Sequence, residues 1–151
     1  MIQINSHYDL IITEKFVNIM VDCIIQARTG STRFPKKIIK KIDDDLTVLE
    51  FLIKQLKNCK EIRRIIVATT KLDEDDTIIE ICKKLKILYF RGDALNLLDR
   101  YYNCAKQFKS KEIIRVTSDC PLIDPNLVDE GINEFHNGGY DYLTNSHGNF
   151  P

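Results

Sequence analysis

The sequence predicts an α/β fold, a three-layer α/β/α arrangement around a mainly parallel sheet, and three observations carry that expectation. From Val21 onward, short β-branched apolar runs alternate with segments whose apolar residues recur at helical spacing. The helical segments between these runs are about 10–15 residues long, as right-handed crossovers between parallel strands require. No repeat, low-complexity run or linker interrupts the alternation.

The first expected strand is the apolar run at residues 21–26, which leads into a polar loop at 27–37. Thr47-Val48-Leu49-Glu50 matches a capping box, with Glu50 three residues past the cap. Val48, Leu52, Leu56 and Cys59 follow at helical spacing, supported by Leu49 and Ile53, and predict a helix from about 47 to 59. Arg64 to Thr69 is a second buried strand. Asp73 to Asp76 places acidic residues where a helix macrodipole favours them, and Ile78, Ile79, Ile81, Cys82 and Leu85 form the stripe that follows. Ile87 to Phe90 is a short strand and Arg91-Gly92-Asp93 a turn. Leu95, Leu98, Tyr101, Tyr102, Ala105 and Phe108 predict another amphipathic helix. Ile113 to Thr117 is the next strand, and Asp124-Pro125 is a cap with proline at the first helical position. That helix carries Leu127, Val128, Ile132 and Phe135 and stops at Asn137-Gly138-Gly139. Tyr140 to Thr144 completes the expectation as a fifth strand.

Composition narrows the function classes. The chain has 151 residues, 44% hydrophobic and 29% charged, a size and balance suited to one domain with one core. Its 22 basic and 22 acidic residues cancel, which argues against nucleic acid as a partner. The only basic concentration, Lys36 to Ile42, reads as a solvated edge. Five cysteines, an odd number without CxxC spacing, point to a cytoplasmic protein with no disulfide framework. His7, His136 and His147 lack the spacing of a zinc site. Nothing approaches the ~20 apolar residues of a membrane span. Residues 1–20 are expected to be an extension of uncertain order, since Asp9 and Glu14 break the apolar run a signal peptide needs.

The most informative segment is VDCIIQARTGSTRFPKK, residues 21–37, where the first strand delivers Arg28, Gly30, Ser31, Arg33, Lys36 and Lys37 into one loop. Glycine lets backbone approach an anion, Ser31 and nearby N–H groups can donate, and the cations supply charge-assisted contacts. The arrangement suits a polyphosphate; a solvated basic turn is the plainer alternative. Ligands of parallel sheets bind beyond the carboxyl ends of the strands, so this loop and residues 117–121 are expected to converge. Asp119, before Cys120-Pro121, offers a hard oxygen to Mg²⁺ or else caps a turn. Cys120 has no histidine placed to activate it and reads as a packed thiol.

Ala27-Arg28-x-x-Ser31-x-Arg33-x-Pro35-x-Lys37 after an apolar strand resembles the signature loop of the sugar-acid cytidylyltransferases. The fuller string is most similar to the branch named after spore-coat polysaccharide biosynthesis protein F. Val67 to Thr70, Phe90 to Asp93, Arg115 to Pro125 and Tyr140 to Asn145 fit in order, so the resemblance covers about residues 21–151. It implies a nucleotide-diphospho-sugar transferase-like (Rossmann-like) fold, with 21–151 as a nucleotide-binding α/β domain, the N-terminal part of a cytidylyltransferase-like domain. It implies transfer of CMP from CTP to an acidic sugar with release of pyrophosphate, using Mg²⁺, for surface-polysaccharide precursors. Arg28 and Lys37 would clamp the triphosphate as the catalytic pair, with Ala27, Gly30 and Ser31 of the loop beside it. Arg33 is a second phosphate contact or a salt bridge shaping the loop. Thr69 and Thr70 meet base or ribose, or form a turn. Arg91 and Asp93 lie near the nucleotide, although Asp93 also suits a helix cap. Asn145 approaches the sugar, Asp119 holds the metal, and a homodimer is open to the chain.

Two departures qualify the resemblance. The family has glycine where this chain has Lys36, and family members continue past the position of Pro151. The second leaves open a truncated, non-catalytic module that binds a nucleotide or nucleotide-sugar. A generic doubly wound domain with an incidental basic loop is the third reading.

Overall fold

A computed structural model describes residues 21–30, 35–42 and 45–144. Four strands, Val21–Gln26 (β1), Ile62–Thr70 (β2), Leu88–Gly92 (β3) and Ile113–Thr117 (β4), form a wholly parallel sheet in the order β3-β2-β1-β4. Val48–Leu56 (α1), Asp76–Leu85 (α2), Leu97–Phe108 (α3) and Pro125–Gly138 (α4) are the helices. The chain steps outward through β1, β2 and β3, then returns across the sheet to place β4 on the other side of β1. That reversal makes the gap between the carboxyl ends of β1 and β4 a topological switch point. The registers Gln26↔Thr117 and Gln26↔Ala68 bring three strand ends to one level.

β1 is buried on both faces, as a central parallel strand must be. Cys23, Ile25 and Ala27 pack with Ile65 and Val67 against α1, α2 and α4 through Leu49, Leu52, Leu56, Ile78, Cys82, Val128 and Ile132. On the opposite face Ile24, Ile66 and Ala68 meet Tyr101 and Cys104 of α3. The capping box opening α1 is present: the Thr47 hydroxyl accepts from the Glu50 N–H and the Glu50 carboxylate accepts from the Thr47 N–H. Asp124 caps α4 by accepting from the Asn126 N–H, with Pro125 at the first position.

Two expectations are corrected. Residues 140–144 form no strand, so the sheet has four strands among the described residues. In α3 the inward face is Leu97, Tyr101, Cys104, Ala105 and Phe108, whereas Leu95, Leu98 and Tyr102 are exposed. The helix starts at Leu97, capped by Asn96, and that start sets which residues face the sheet.

β1 also carries an acid that its apolar neighbours conceal. Asp22 is fully buried at the end of the strand remote from the switch point. Arg63 donates to it at 2.9 and 2.8 Å and Arg64 at 3.0 and 2.8 Å, each guanidinium using two nitrogens, and the Ser110 hydroxyl donates as well. Burial pushes the carboxyl up, but these donors outweigh it and bring its pKa down to about 2.

Of the cysteines, Cys23, Cys82 and Cys104 are buried, Cys59 is half-buried and Cys120 is exposed. Burial pushes Cys82 and Cys104 up to about 12 and Cys59 up to about 11, and raises Cys23 further. Among the described residues no helix is long and apolar enough to cross a membrane.

Candidate active site at the carboxyl ends of β1 and β4

The chain leaves β1 through Ala27, whose N–H donates to the Ala68 carbonyl at 3.1 Å and whose methyl joins the core. Arg28 is exposed, and its Nη1 donates to the Ala94 carbonyl at 3.3 Å. Thr29 turns back inside: its N–H and hydroxyl donate to Asp75 Oδ1 at 2.7 and 2.8 Å. At Gly30 a Cβ would stand 3.0 Å from Glu74 Oε1, so the loop passes close to the turn before α2. The Lys36 N–H donates to the Thr29 carbonyl at 3.0 Å and closes the loop at its base. Ser31 and Arg33 lie outside the described residues.

A short 3-10 turn, Lys37–Ile39, follows. Ile38 plugs into the core and is 1% exposed, which fixes the turn and leaves Lys37 directed outward. Its ammonium meets Asp119 Oδ2 at 2.7 Å. Asp119 comes from the other side of the switch point, where the Ser118 N–H donates to the Gln26 carbonyl at 3.2 Å and ties the two loops together. Lys37 first and the Thr117 hydroxyl second hold the Asp119 carboxyl below the usual carboxylate range. The expected convergence of the basic loop with Asp119 is therefore present as a direct ion pair.

The remaining candidates sit to one side. Arg91 is engaged in structure: Nε donates to the Thr70 carbonyl and Nη2 to the Leu72 carbonyl, both at 3.0 Å, and Nη1 pairs with Asp76 at 2.7 Å. Asp93 accepts from the Leu95 and Asn96 N–H groups at 2.7 Å, so it ties the turn before α3, while Asn96 caps the helix. Thr69 and Thr70 are fully buried. The Thr70 hydroxyl donates to Asp75, and the Thr69 hydroxyl has no hydrogen-bond partner among the described residues. Asn145 lies outside the described residues. Among the described residues no group of three or more His, Cys, Asp and Glu could hold a metal, so Asp119 stands as a single carboxylate.

Three residues that sequence reasoning gave no role at the site fix its surroundings: Thr29 and Asp75 hold the loop after β1, and Arg100 holds the turn after β3. Arg100 is 2% exposed and donates to the Asp93 carbonyl at 2.9 Å and the Ala94 carbonyl at 3.2 Å. Gly92 makes room for it, since a Cβ there would stand 2.7 Å from Arg100 Cγ. Burial first, and the charge of Arg28 second, push Arg100 below its ordinary value. The signal for Arg100 was its spacing: three residues after Leu97 and four before Cys104, it falls on the inward face of α3.

Lys36 adopts φ 56°, ψ 20°, the left-handed region. Lys86 and Lys109 do so as helix C-caps, a common position for it, but Lys36 sits before a turn at the mouth of the site. A side chain in that conformation costs roughly 1–2 kcal/mol, against roughly 0.5–1 kcal/mol of extra chain entropy lost by glycine. Lys36→Gly is expected to stabilise the fold by about 0.5–1 kcal/mol, measured by urea denaturation. An unchanged or lower midpoint would show that the strain is not there.

A parallel sheet with a cationic loop and a carboxylate at its switch point defines an α/β domain with a candidate ligand site at the carboxyl ends of its strands. Residues 23–150 match the family described as Cytidylyltransferase. The chain is 40% identical over 121 residues to the uncharacterised protein MJ1063 of Methanocaldococcus jannaschii, covering 80% of this chain and 49% of that protein. It is 33% identical over 123 residues to the spore coat polysaccharide biosynthesis protein SpsF of Bacillus subtilis, covering 79% and 51%. Among solved structures, a cytidylyltransferase from Leptospira borgpetersenii superposes with TM-score 0.73 at 41% identity, covering 77% of this chain and 48% of that one. A CMP:2-keto-3-deoxy-manno-octonic acid synthetase complexed with CTP shares the fold, with TM-score 0.66 at 18% identity over 79% and 48% of the chains. The chain belongs to the cytidylyltransferase family. It spans about half the length of the curated relatives it matches.

Proposed function

We propose that this domain binds CTP and transfers its cytidylyl group to a hydroxyl of an acidic sugar, releasing pyrophosphate, in a cytoplasmic step that supplies a surface polysaccharide. The observation that carries the reading is the 2.7 Å contact between Lys37 and Asp119, which joins the loops after β1 and β4. Arg28 and Lys37 bind the triphosphate and counter the charge that develops on the leaving pyrophosphate as the sugar oxygen attacks in line. Relatives named for polysaccharide biosynthesis and for 3-deoxy-manno-octulosonate cytidylyl transfer support the acidic-sugar class.

Asp119 fits Mg²⁺ as a single, half-exposed carboxylate, because this ion binds through one or two carboxylates and takes its other ligands from water and substrate phosphates. When bound, the metal neutralises phosphate charge. Lys37 stands against Asp119 in the free protein, and an exposed pair of this kind is worth about 0–1 kcal/mol. The lysine can therefore pass from the carboxylate to the phosphates with little loss.

It follows that Mg²⁺ alone binds poorly and that CTP and Mg²⁺ bind as a unit. Calorimetric titration of Mg²⁺ into the protein, with the heat of Mg²⁺ binding to free CTP subtracted, is expected to give binding heat only with CTP present. Equal affinity with and without nucleotide would remove Asp119 from the metal's ligands or Lys37 from its place. CTP with Mg²⁺ at ~100-fold over Kd should stabilise the fold by about 2.7 kcal/mol. Pyrophosphate release with a panel of sugar acids tests transfer itself. A binding module without turnover is the second reading; its signature is CTP binding with no pyrophosphate released.

A further inference from the structure

We propose that Asp75 is a positioning residue for the phosphate-binding loop: its buried carboxylate grips Thr29 and so sets where Arg28 and Gly30 meet the nucleotide. The proposal rests on the nucleotide-binding reading above and adds a residue outside the loop to it.

Asp75 is fully buried just before α2, yet its side chain makes no capping bond to that helix. A carboxylate in such a place is costly unless its lone pairs are filled. They are filled by the Thr29 N–H at 2.7 Å, the Thr29 hydroxyl at 2.8 Å and the Thr70 hydroxyl. Burial raises its pKa, and the donors from Thr70 and Thr29 outweigh it and leave the carboxyl below its ordinary range. Only the Thr70 bond belongs to the corner between β2 and α2. The two Thr29 bonds reach 46 residues back in the chain and tie that corner to the loop after β1.

Their contribution is a fixed path for the loop. Thr29 lies between Arg28, whose guanidinium touches the Ala94 carbonyl, and Gly30, which passes Glu74. Its carbonyl receives the Lys36 N–H, so the same residue anchors the outgoing and returning strands of the loop. With Thr29 held from below, Arg28 needs little ordering when phosphates arrive, and that saved entropy appears as affinity.

The test uses the whole chain, with amide hydrogen exchange at Thr29 and calorimetric binding of CTP with Mg²⁺ and of inorganic pyrophosphate. Asp75→Asn keeps the shape, removes the charge and turns an NH₂ toward Thr70. Thr29→Val removes the hydroxyl bond, and Thr29→Ser keeps it. Asp75→Asn and Thr29→Val are each expected to speed Thr29 exchange and to weaken both ligands about tenfold, which is about 1.4 kcal/mol. Thr29→Ser and a neighbouring control, Asp73→Asn, should stay within about twofold of the parent, well inside that interval. If Asp75→Asn does not fold, the valine and serine variants at Thr29 decide alone.

Unchanged Thr29 exchange in the variants overturns the grip. Faster exchange with unchanged ligand affinity overturns the positioning role and leaves a purely structural bond. If the parent chain binds neither CTP nor pyrophosphate, the nucleotide reading falls and the positioning role falls with it, even where Thr29 exchange is slow.

Discussion

Lys37→Ala is expected to lower pyrophosphate release from CTP by about 10²–10³-fold while leaving the fold almost as stable as before. The separation between the two effects is the informative part. Lys37 stands beside Ile38, which is packed in the core, and its ion pair with Asp119 is 30% and 43% exposed on its two sides. An exposed pair contributes about 0–1 kcal/mol to stability, so the variant should unfold within a few degrees of the parent. A cation aimed at charge that develops during the reaction has a far larger effect on rate than on folding. Steady-state pyrophosphate assays beside thermal melts check both halves. Turnover within a few-fold of the parent removes Lys37 from the phosphate clamp and leaves the ion pair as surface decoration.

The largest expected loss of stability lies at the opposite end of β1. Asp22→Ala should destabilise the fold by about 3 kcal/mol, because it leaves two guanidinium groups gathered around a vacated buried site. For a domain of this size that corresponds to a fall in Tm of roughly 6–12 °C. The effect has a pH signature. Asp22 carries an ordinary value of 3.8 unfolded and about 2 folded, so the unfolded chain binds the proton more readily between those limits. Its contribution, about 2 kcal/mol, is therefore present above about pH 4 and disappears as the pH falls through 2. The gap between parent and variant should narrow over that window in denaturation curves taken from pH 5 downward. A gap independent of pH would mean that packing, not charge, sets the cost of the substitution.

Most of the architecture was legible because periodicity and capping chemistry agree along this chain. The capping box at Thr47 and Glu50 and the Asp124-Pro125 start are both where local rules place them. The convergence of Lys37 with Asp119 followed from topology, since loops at the carboxyl ends of neighbouring parallel strands have to approach one another. The failures share a physical cause. Asp22 looked like one polar letter in an apolar run, and its partners Arg63 and Arg64 come from a strand 41 residues away. Asp75 looked like one of several acids suited to a helix dipole, whereas a tertiary bond to Thr29 claimed it. Arg91 drew attention as a charged residue in a turn, whereas it belongs to β3 and binds the carbonyls at the end of β2. Side chains whose partners are distant in sequence are invisible to local pattern. Residues 140–144 failed in the other direction: alternating tyrosines suggested a strand, but strand pairing is a property of the neighbour as much as of the segment.

The distribution of sulfur has a practical side. Four thiols are wholly or partly enclosed and held in their protonated form, while the fifth, Cys120, is open to solvent one residue from Asp119. Alkylating dyes need access to the sulfur, so a maleimide fluorophore would attach there selectively. In a sequence that has no tryptophan, this amounts to a built-in attachment point for an optical reporter at the edge of the candidate site.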